Sequence, residues 1–148
     1  MSGRLLFVVN IPRFFVSHRL PLAIAARDAG FEVHVATASG DPENTAVIRD
    51  HGFIHHPLPL DQHGRRPHRE LRSMLALIGL LGRLRPDLVH LVTIKPVLYG
   101  GIAARLTQRR AVVAAMSGLG RTFRDEQGGV RPPSRSLRAA FRLALPPR

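Results

Sequence analysis

Three groups of side chains have types and spacing suited to holding an anion or a sugar. Ser17, His18 and Arg19 follow a loop over Ile11–Ser17 and open an expected helix that Gly30 stops. Ser17 suits the N-cap of that helix, whose free N–H groups and dipole favour an anion, while His18 and Arg19 add donors and charge. Asn10, at the end of the first expected strand, joins this group. So does Phe14, because the adjacent aromatics Phe14 and Phe15 cannot both enter one core and one of them is left to face a ligand or lipid. The second group is Thr93-Ile-Lys95-Pro-Val-Leu-Tyr99-Gly-Gly. Lys95 is the sole lysine among 22 basic residues, and its compact ammonium can hold a phosphate as a point charge. Tyr99 completes that segment. The third group is Ser117, Gly118 and Gly120, a glycine-rich turn with exposed N–H groups and a hydroxyl. Each group has a plainer reading as well: a simple helix cap, a surface lysine and an ordinary turn.

No residue is assigned a catalytic role. The eight histidines invite a metal-site reading, but Gly52 separates His51 from His55, so the two do not share a helical face. No carboxylate stands at a familiar ligand spacing, so neither a metal nor any other cofactor is expected. His34 and His90 fall within strands and read as core or sheet-face residues. With no cysteine, thiol catalysis, disulfides and cysteine-ligated zinc are excluded. The turn after the first strand lacks glycine, so the dinucleotide fingerprint is missing, as are a P-loop and a nucleophile elbow.

The elements that must position these groups alternate. Apolar and β-branched runs predict strands at Arg4–Asn10, Glu32–Thr37, Phe53–His56, Asp87–Val92 and Ala111–Met116. Helices are expected over His18–Ala29, Glu43–His51, His68–Leu84, Pro96–Leu106 and Leu137–Leu145, with Leu71, Met74, Leu75, Ile78, Leu81 and Leu84 as the apolar stripe of the longest. Gly100 and Gly101 read as sites of close helix–sheet packing. Such alternation implies an α/β fold, a Rossmann-like parallel sheet flanked by helices, in which ligands bind beyond the carboxyl ends of the strands. That rule selects Asn10–Ser17, Thr37–Asp41, Thr93–Tyr99 and Ser117–Phe123. Residues 1–123 form the expected domain, and 124–148 a basic segment with a partial helix.

Charge is concentrated in one half. Residues 1–60 are neutral overall, and the formal charge of +12 lies in residues 61–148. A basic surface of that size attracts nucleic acid, anionic lipid or a diphosphate-linked substrate. Aromatic residues are only 5%, so bases have few stacking platforms and no specific nucleic acid is expected. Arg65, Arg66, Arg69 and Arg72 stand at the start of the leucine-rich helix. That pairing suits contact with an anionic membrane or with an acceptor lipid, although the leucines are also sufficient for an ordinary core stripe. No apolar run approaches the ~20 residues that span a bilayer.

Four segments in this order resemble the N-terminal domain of family 4 glycosyltransferases, above all bacterial enzymes that extend lipid-linked or polyprenyl-diphosphate-linked sugars. They are Phe7-Val-Val-Asn…Ser17-His-Arg-Leu-Pro-Leu, the basic loop before the long helix, Arg85-Pro-Asp-Leu-Val-His…Lys95-Pro-Val-Leu-Tyr-Gly-Gly-Ile-Ala-Ala-Arg105, and Ser117-Gly-Leu-Gly-Arg-Thr-Phe. The resemblance implies the N-terminal half of a GT-B fold, with the acceptor on this domain and the nucleotide-sugar on a second one, and metal-free transfer. It also implies that His18, Lys95 and the Ser117–Gly120 turn line the cleft, and that His18 and Lys95 steady the acceptor's diphosphate or the donor's departing phosphate. Where many relatives carry a histidine after the fifth strand, this chain has Ser117. The expectation is an acceptor-binding half, cytoplasmic and peripheral to the inner membrane face. It would be inactive unless a C-terminal domain or partner subunit binds the nucleotide-sugar. A non-catalytic, flavodoxin-like phosphate- or sugar-binding module is the alternative, followed by a basic nucleic-acid binder.

Overall fold

The structure is a computed structural model that describes residues 2–61, 66–109, 111–116, 127, 129, 132 and 134–145. Strands β1 (Arg4–Val9), β2 (Glu32–Ala38), β3 (Ile54–Leu58), β4 (Leu88–Val92) and β5 (Val112–Ala115) form one sheet in the order β3-β2-β1-β4-β5, every pair parallel. Helices α1 (Pro12–His18), α2 (Leu20–Asp28), α3 (Pro42–Asp50), α4 (Pro67–Leu84), α5 (Ile94–Leu106) and α6 (Arg135–Ala144) complete the described elements.

Every residue of β1 after Arg4, and of β2 after Glu32, is buried. This is the two-sided burial that a parallel sheet covered on both faces imposes, and it explains why these strands read as continuous apolar runs. Leu6, Val8, Val89 and Leu91 point to one face, under Leu77, Leu80 and Leu81 of α4 and Val97 of α5. Phe7, Val9, Val35 and Val92 point to the other, where Phe15, Ala23, Ile48 and Phe53 meet them. Phe15 stands edge-on to both Phe7 (5.6 Å between centroids) and Phe53 (6.3 Å) and so closes that core. Gly100 passes so near Leu91 that a Cβ would strike its side chain, and a Cβ on Gly101 would lie 2.5 Å from the Ala144 carbonyl oxygen. Close helix–sheet packing therefore applies at Gly100, whereas Gly101 serves the contact between α5 and α6.

Two expectations are corrected. The segment Ile11–Ser17 is not a loop: Pro12 at the first turn starts α1, and the chain bends at Arg19 before α2 begins. Ser17 is consequently no N-cap, and His18 sits in the last turn of a helix rather than the first. The second correction concerns part of the α4 stripe: Leu81 is buried and Ile78 and Leu84 pack against the core as expected, but the N-terminal part of the stripe does not. The buried residues of the helix are Ser73, Leu77, Leu80 and Leu81, whereas Leu71 and Leu75, both 59% exposed, look outward. Ser73 is buried because its hydroxyl donates to the Pro59 carbonyl at 2.5 Å, which ties the start of α4 to the end of β3.

Candidate functional site

The crossover from β1 to β2 runs through α1 and α2 on one face, and that from β3 to β4 runs through α4 on the other. The order β3-β2-β1-β4-β5 therefore reverses between β1 and β4, and a crevice opens beyond their carboxyl ends. Asn10 and Thr93 stand there side by side, because each follows a residue of the Val9–Val92 pair. The Asn10 Oδ1, the Thr93 Oγ1 and the Nε2 of His90, three residues back along β4, are buried without a hydrogen-bond partner among the described residues. Unsatisfied buried polar atoms cost about 1–3 kcal/mol each, so each of them needs a reason. Burial holds the His90 imidazole below its ordinary pKa, and the charge of Arg19 adds to that push. His90 is therefore neutral near pH 7. Thr93 also carries backbone strain: φ 73° and ψ 169° is a region that β-branched residues avoid.

On the α1 side of this crevice, the Ser17 hydroxyl bonds back to the carbonyls of Arg13 (2.9 Å) and Phe14 (3.2 Å) and contacts His18 Nδ1 at 2.7 Å. The His18 ring stacks on Phe14, 4.2 Å away and nearly parallel. Phe15 is in the core, while Phe14 is half-buried and forms a shelf with His18. Arg19 links the two helices, its N–H donating to the Phe15 carbonyl at 2.8 Å. The anion-favouring helix terminus expected at Ser17 is thus absent. What remains is an exposed imidazole on an aromatic ring.

Across the crevice, Lys95 lies in the first turn of α5. Its Nζ donates to the Asp61 carbonyl (2.7 Å) and to Glu70 Oε1 (3.0 Å). The Tyr99 hydroxyl, one turn further along, donates to Glu70 Oε2 through a short hydrogen bond. Burial, followed by the bond to Glu70 and that carboxylate's charge, raises the Tyr99 pKa well above its usual range. Glu70 therefore clasps both expected ligand-binding residues of α5 and joins them to α4. Beside the clasp, Arg69 pairs with Asp61 at 3.1 Å. With Arg72 and Ser39 it lines an open cavity of about 510 Å³ at the carboxyl ends of β2 and β3. Arg66 is exposed as well. Arg65, Ser117, Gly118 and Gly120 lie outside the described residues, so the third expected group has no structural account.

Of the histidines in strands, His34 and His56 form a separate chain with Glu32. Glu32 Oε1 accepts from His34 Nε2 at 2.7 Å, and His34 Nδ1 meets His56 Nε2 at 2.9 Å. Among the described residues, no group of three or more His, Cys, Asp or Glu could hold a metal ion.

Sequence reasoning missed Glu70, His90 and Thr93 as members of the site. Glu70 has one available signal, as the only acid between Asp61 and Asp87 in a strongly basic half. Thr93 falls in the segment that the rule about carboxyl ends selects, whereas His90 has no such signal, since its isolation depends on neighbours distant in sequence.

A Rossmann-like parallel sheet with an open crevice at its carboxyl edge is the N-terminal half of a GT-B fold. Residues 4–145 match the profile of the family described as "Glycosyl transferase 4-like", and the chain belongs to that family. Among solved structures it is similar to the spinosyn forosaminyltransferase SpnP, at 29% identity over 83% of this chain and 33% of that one, with a TM-score of 0.60. It is also similar to MurG of Acinetobacter baumannii, at 17% identity over 77% of this chain and 34% of that one, TM-score 0.58. A putative UDP-N-acetylglucosamine 2-epimerase of Listeria monocytogenes matches at 15% identity over 99% of this chain and 38% of that one, TM-score 0.64. The likenesses to MurG and the epimerase are of fold alone. The chain spans about a third of the length of these structures. No curated protein sequence matches it.

Proposed function

We propose that the crevice between β1 and β4 binds the acceptor of a glycosyl transfer, a lipid-linked or polysaccharide sugar chain. The observation that carries this reading is the pair of buried, unpartnered polar atoms on Asn10 and Thr93, which follow the paired residues Val9 and Val92 at the sheet reversal beside a strained backbone; a third, His90 Nε2, lies further back along β4, opposite Phe7. An oxygen acceptor on Asn10, a hydroxyl on Thr93 and a neutral imidazole on His90 match the hydroxyls of a sugar, which both donate and accept. Phe14 and His18 offer an apolar shelf on one side, and Lys95 a cation on the other. An anionic acceptor there draws Lys95 from Glu70 and leaves the Tyr99–Glu70 bond intact.

In this reading the nucleotide-sugar is bound by a second lobe, in the same or another chain, and residues 1–148 alone turn nothing over. The deprotonation of the acceptor and departure of the donor phosphate belong to the assembled cleft, and no residue here is assigned a catalytic role. Contact with an anionic membrane is assigned to α4, where Leu71 and Leu75 are exposed between Arg66, Arg69 and Arg72. No helix among the described residues is long and apolar enough to cross a bilayer, so this contact is peripheral. The cytoplasmic face is the side on which anionic lipid and basic protein surface meet.

The test is binding of a phosphate-linked oligosaccharide by the whole chain and by Asn10→Ala, Thr93→Ala and His90→Phe. A loss of tenfold or more in each variant that retains its circular dichroism supports the crevice. Unchanged affinity in all three refutes it. Turnover of labelled sugar nucleotide by the unaccompanied chain would overturn the assignment of the donor to another lobe. For the membrane contact, Leu71→Glu with Leu75→Glu abolishes co-flotation with anionic vesicles while leaving acceptor binding intact.

A further inference from the structure

We infer a second anion site, on the far end of α5 from the crevice, that takes clustered phosphate groups. In α6, Arg135, Arg138 and Arg142 recur at spacings of three and four and so share one face of the helix. Arg105, near the end of α5, joins them, and the four arginines line one open cavity of about 570 Å³ with Ala139 and Leu143. Arg105 is held in place, its Nη1 donating to the Leu143 carbonyl at 2.7 Å near the end of α6.

The charge of this groove is uncompensated. None of the four groove arginines forms an ion pair among the described residues. Like charges three and four apart on a helix are mutually destabilising, and α6 tolerates two such pairs in ten residues. An anion with several oxygens removes that repulsion and satisfies guanidinium N–H groups two at a time, which suits phosphate better than an isolated carboxylate.

The groove is separate from the acceptor crevice. Lys95 and Arg105 are ten residues apart on one helix, about 15 Å along its axis. Lys95 marks the carboxyl edge of the sheet, so Arg105 lies toward the opposite edge. Contacts within the chain also keep the two regions apart: α6 packs on α5 through Gly101 and Ala144, whereas the crevice is walled by α1, α4 and the start of α5. The ligand chemistry is that of adjacent phosphates, whether from a soluble oligophosphate or from phospholipid head groups.

The experiment titrates the whole chain with inorganic pyrophosphate by calorimetry at 50 and 200 mM salt and, in parallel, floats it with phosphatidylcholine vesicles with and without phosphatidylglycerol. Arg138→Gln with Arg142→Gln is compared with a charge-matched control, Arg13→Gln with Arg49→Gln, on the opposite face. Arginine and glutamine have similar helix propensity, so α6 survives the change. The expected result is salt-sensitive binding that the groove variant weakens at least tenfold and the control by less than twofold. Saturable pyrophosphate binding identifies a soluble source, and selective flotation with phosphatidylglycerol identifies head groups. Absence of binding in both arms, or equal losses in the two variants, overturns the site. Pyrophosphate can also reach Lys95 in the crevice and anionic vesicles can reach α4, so the groove rests on the loss in the Arg138→Gln with Arg142→Gln variant alone; that loss can be absent while the acceptor assignment stands, and the reverse.

Discussion

Thr93 combines two costs that a side chain normally avoids, and substitution separates them. Its φ of 73° with ψ 169° is a conformation tolerated essentially by glycine, worth about 1–3 kcal/mol of strain. Its hydroxyl is buried with no partner among the described residues, a further cost of about 1 kcal/mol or more. Thr93→Ala keeps the Cβ, and hence the strain, but removes the hydroxyl, so it stabilises the fold by about 1 kcal/mol. Thr93→Gly also releases the strain, offset by about 0.5–1 kcal/mol of extra freedom in the unfolded chain, for a total near 2 kcal/mol. For a chain of this size that is a rise in Tm of about 4–8 °C, with alanine about halfway. Differential scanning calorimetry of the three proteins gives the order directly. The same two variants bind a phosphate-linked oligosaccharide more weakly than the wild type if the strain serves the site. A Tm for both variants at or below that of the wild type would refute the reasoning, since Thr93 would then stabilise the fold instead of burdening it.

Three other outcomes are expected. Tyr99 is the only tyrosine and there is no tryptophan, so absorbance of the phenolate near 295 nm follows this one group. Glu70→Gln removes the carboxylate's share of the upward shift, and ionisation begins at lower pH while the share due to burial persists. The imidazoles of His55, His56 and His90 are each held below 6.5, chiefly by burial, with Arg49 acting on His55, His34, His55 and Arg83 on His56, and Arg19 on His90. The unfolded chain therefore binds more protons as pH falls below about 6.5, and stability is full above that value and declines toward pH 5, read as a falling urea midpoint. Gly101→Val drives its side chain into the Ala144 backbone, which cannot yield as a flexible side chain would. A loss of about 1–3 kcal/mol follows, and protease cleaves first near α6.

The centre of the sheet was legible because β1 and β2 are buried on both faces and announce themselves as apolar runs. The close approach of α5 to the sheet was legible from Gly100 for the same local reason. The helix α1 was not, because Pro-Arg-Phe-Phe-Val-Ser-His is poor in strong helix formers and is held by the burial of Pro12 and Phe15 rather than by propensity. The outward face of α4 was misread because its apolar residues cover more than one stripe. Docking of Leu77, Leu80 and Leu81 on the sheet decides which stripe is buried, and a one-dimensional pattern carries no record of that choice. Within the candidate site, Asn10, Lys95 and Tyr99 could be found from the rule about carboxyl ends. The isolation of His90 and the capture of Lys95 by Glu70 are products of contacts across the fold.

That capture alters the chemistry expected of Lys95. A lone lysine at a strand end would attract phosphate with its full charge, whereas here Glu70 lies 3.0 Å from its Nζ and the Asp61 carbonyl 2.7 Å. An incoming anion must therefore compete with a carboxylate already in place, and the net attraction at this end of the crevice is small. The competition is uneven in a useful way. A neutral sugar hydroxyl gains nothing by approaching the clasp, while a diphosphate brings enough charge to draw Lys95 across and leave Glu70 to Tyr99. The Tyr99 bond keeps Glu70 from becoming a bare buried carboxylate when that happens, which lowers the cost of the exchange. In the proposed reading, specificity for a phosphate-linked acceptor over a free sugar arises from the exchange of partners at Lys95, and hydroxyl recognition from Asn10 and Thr93, with His90 further back along β4. On that proposal the two ends do different work, and an acceptor with both a phosphate and a sugar ring satisfies them together where a free sugar does not.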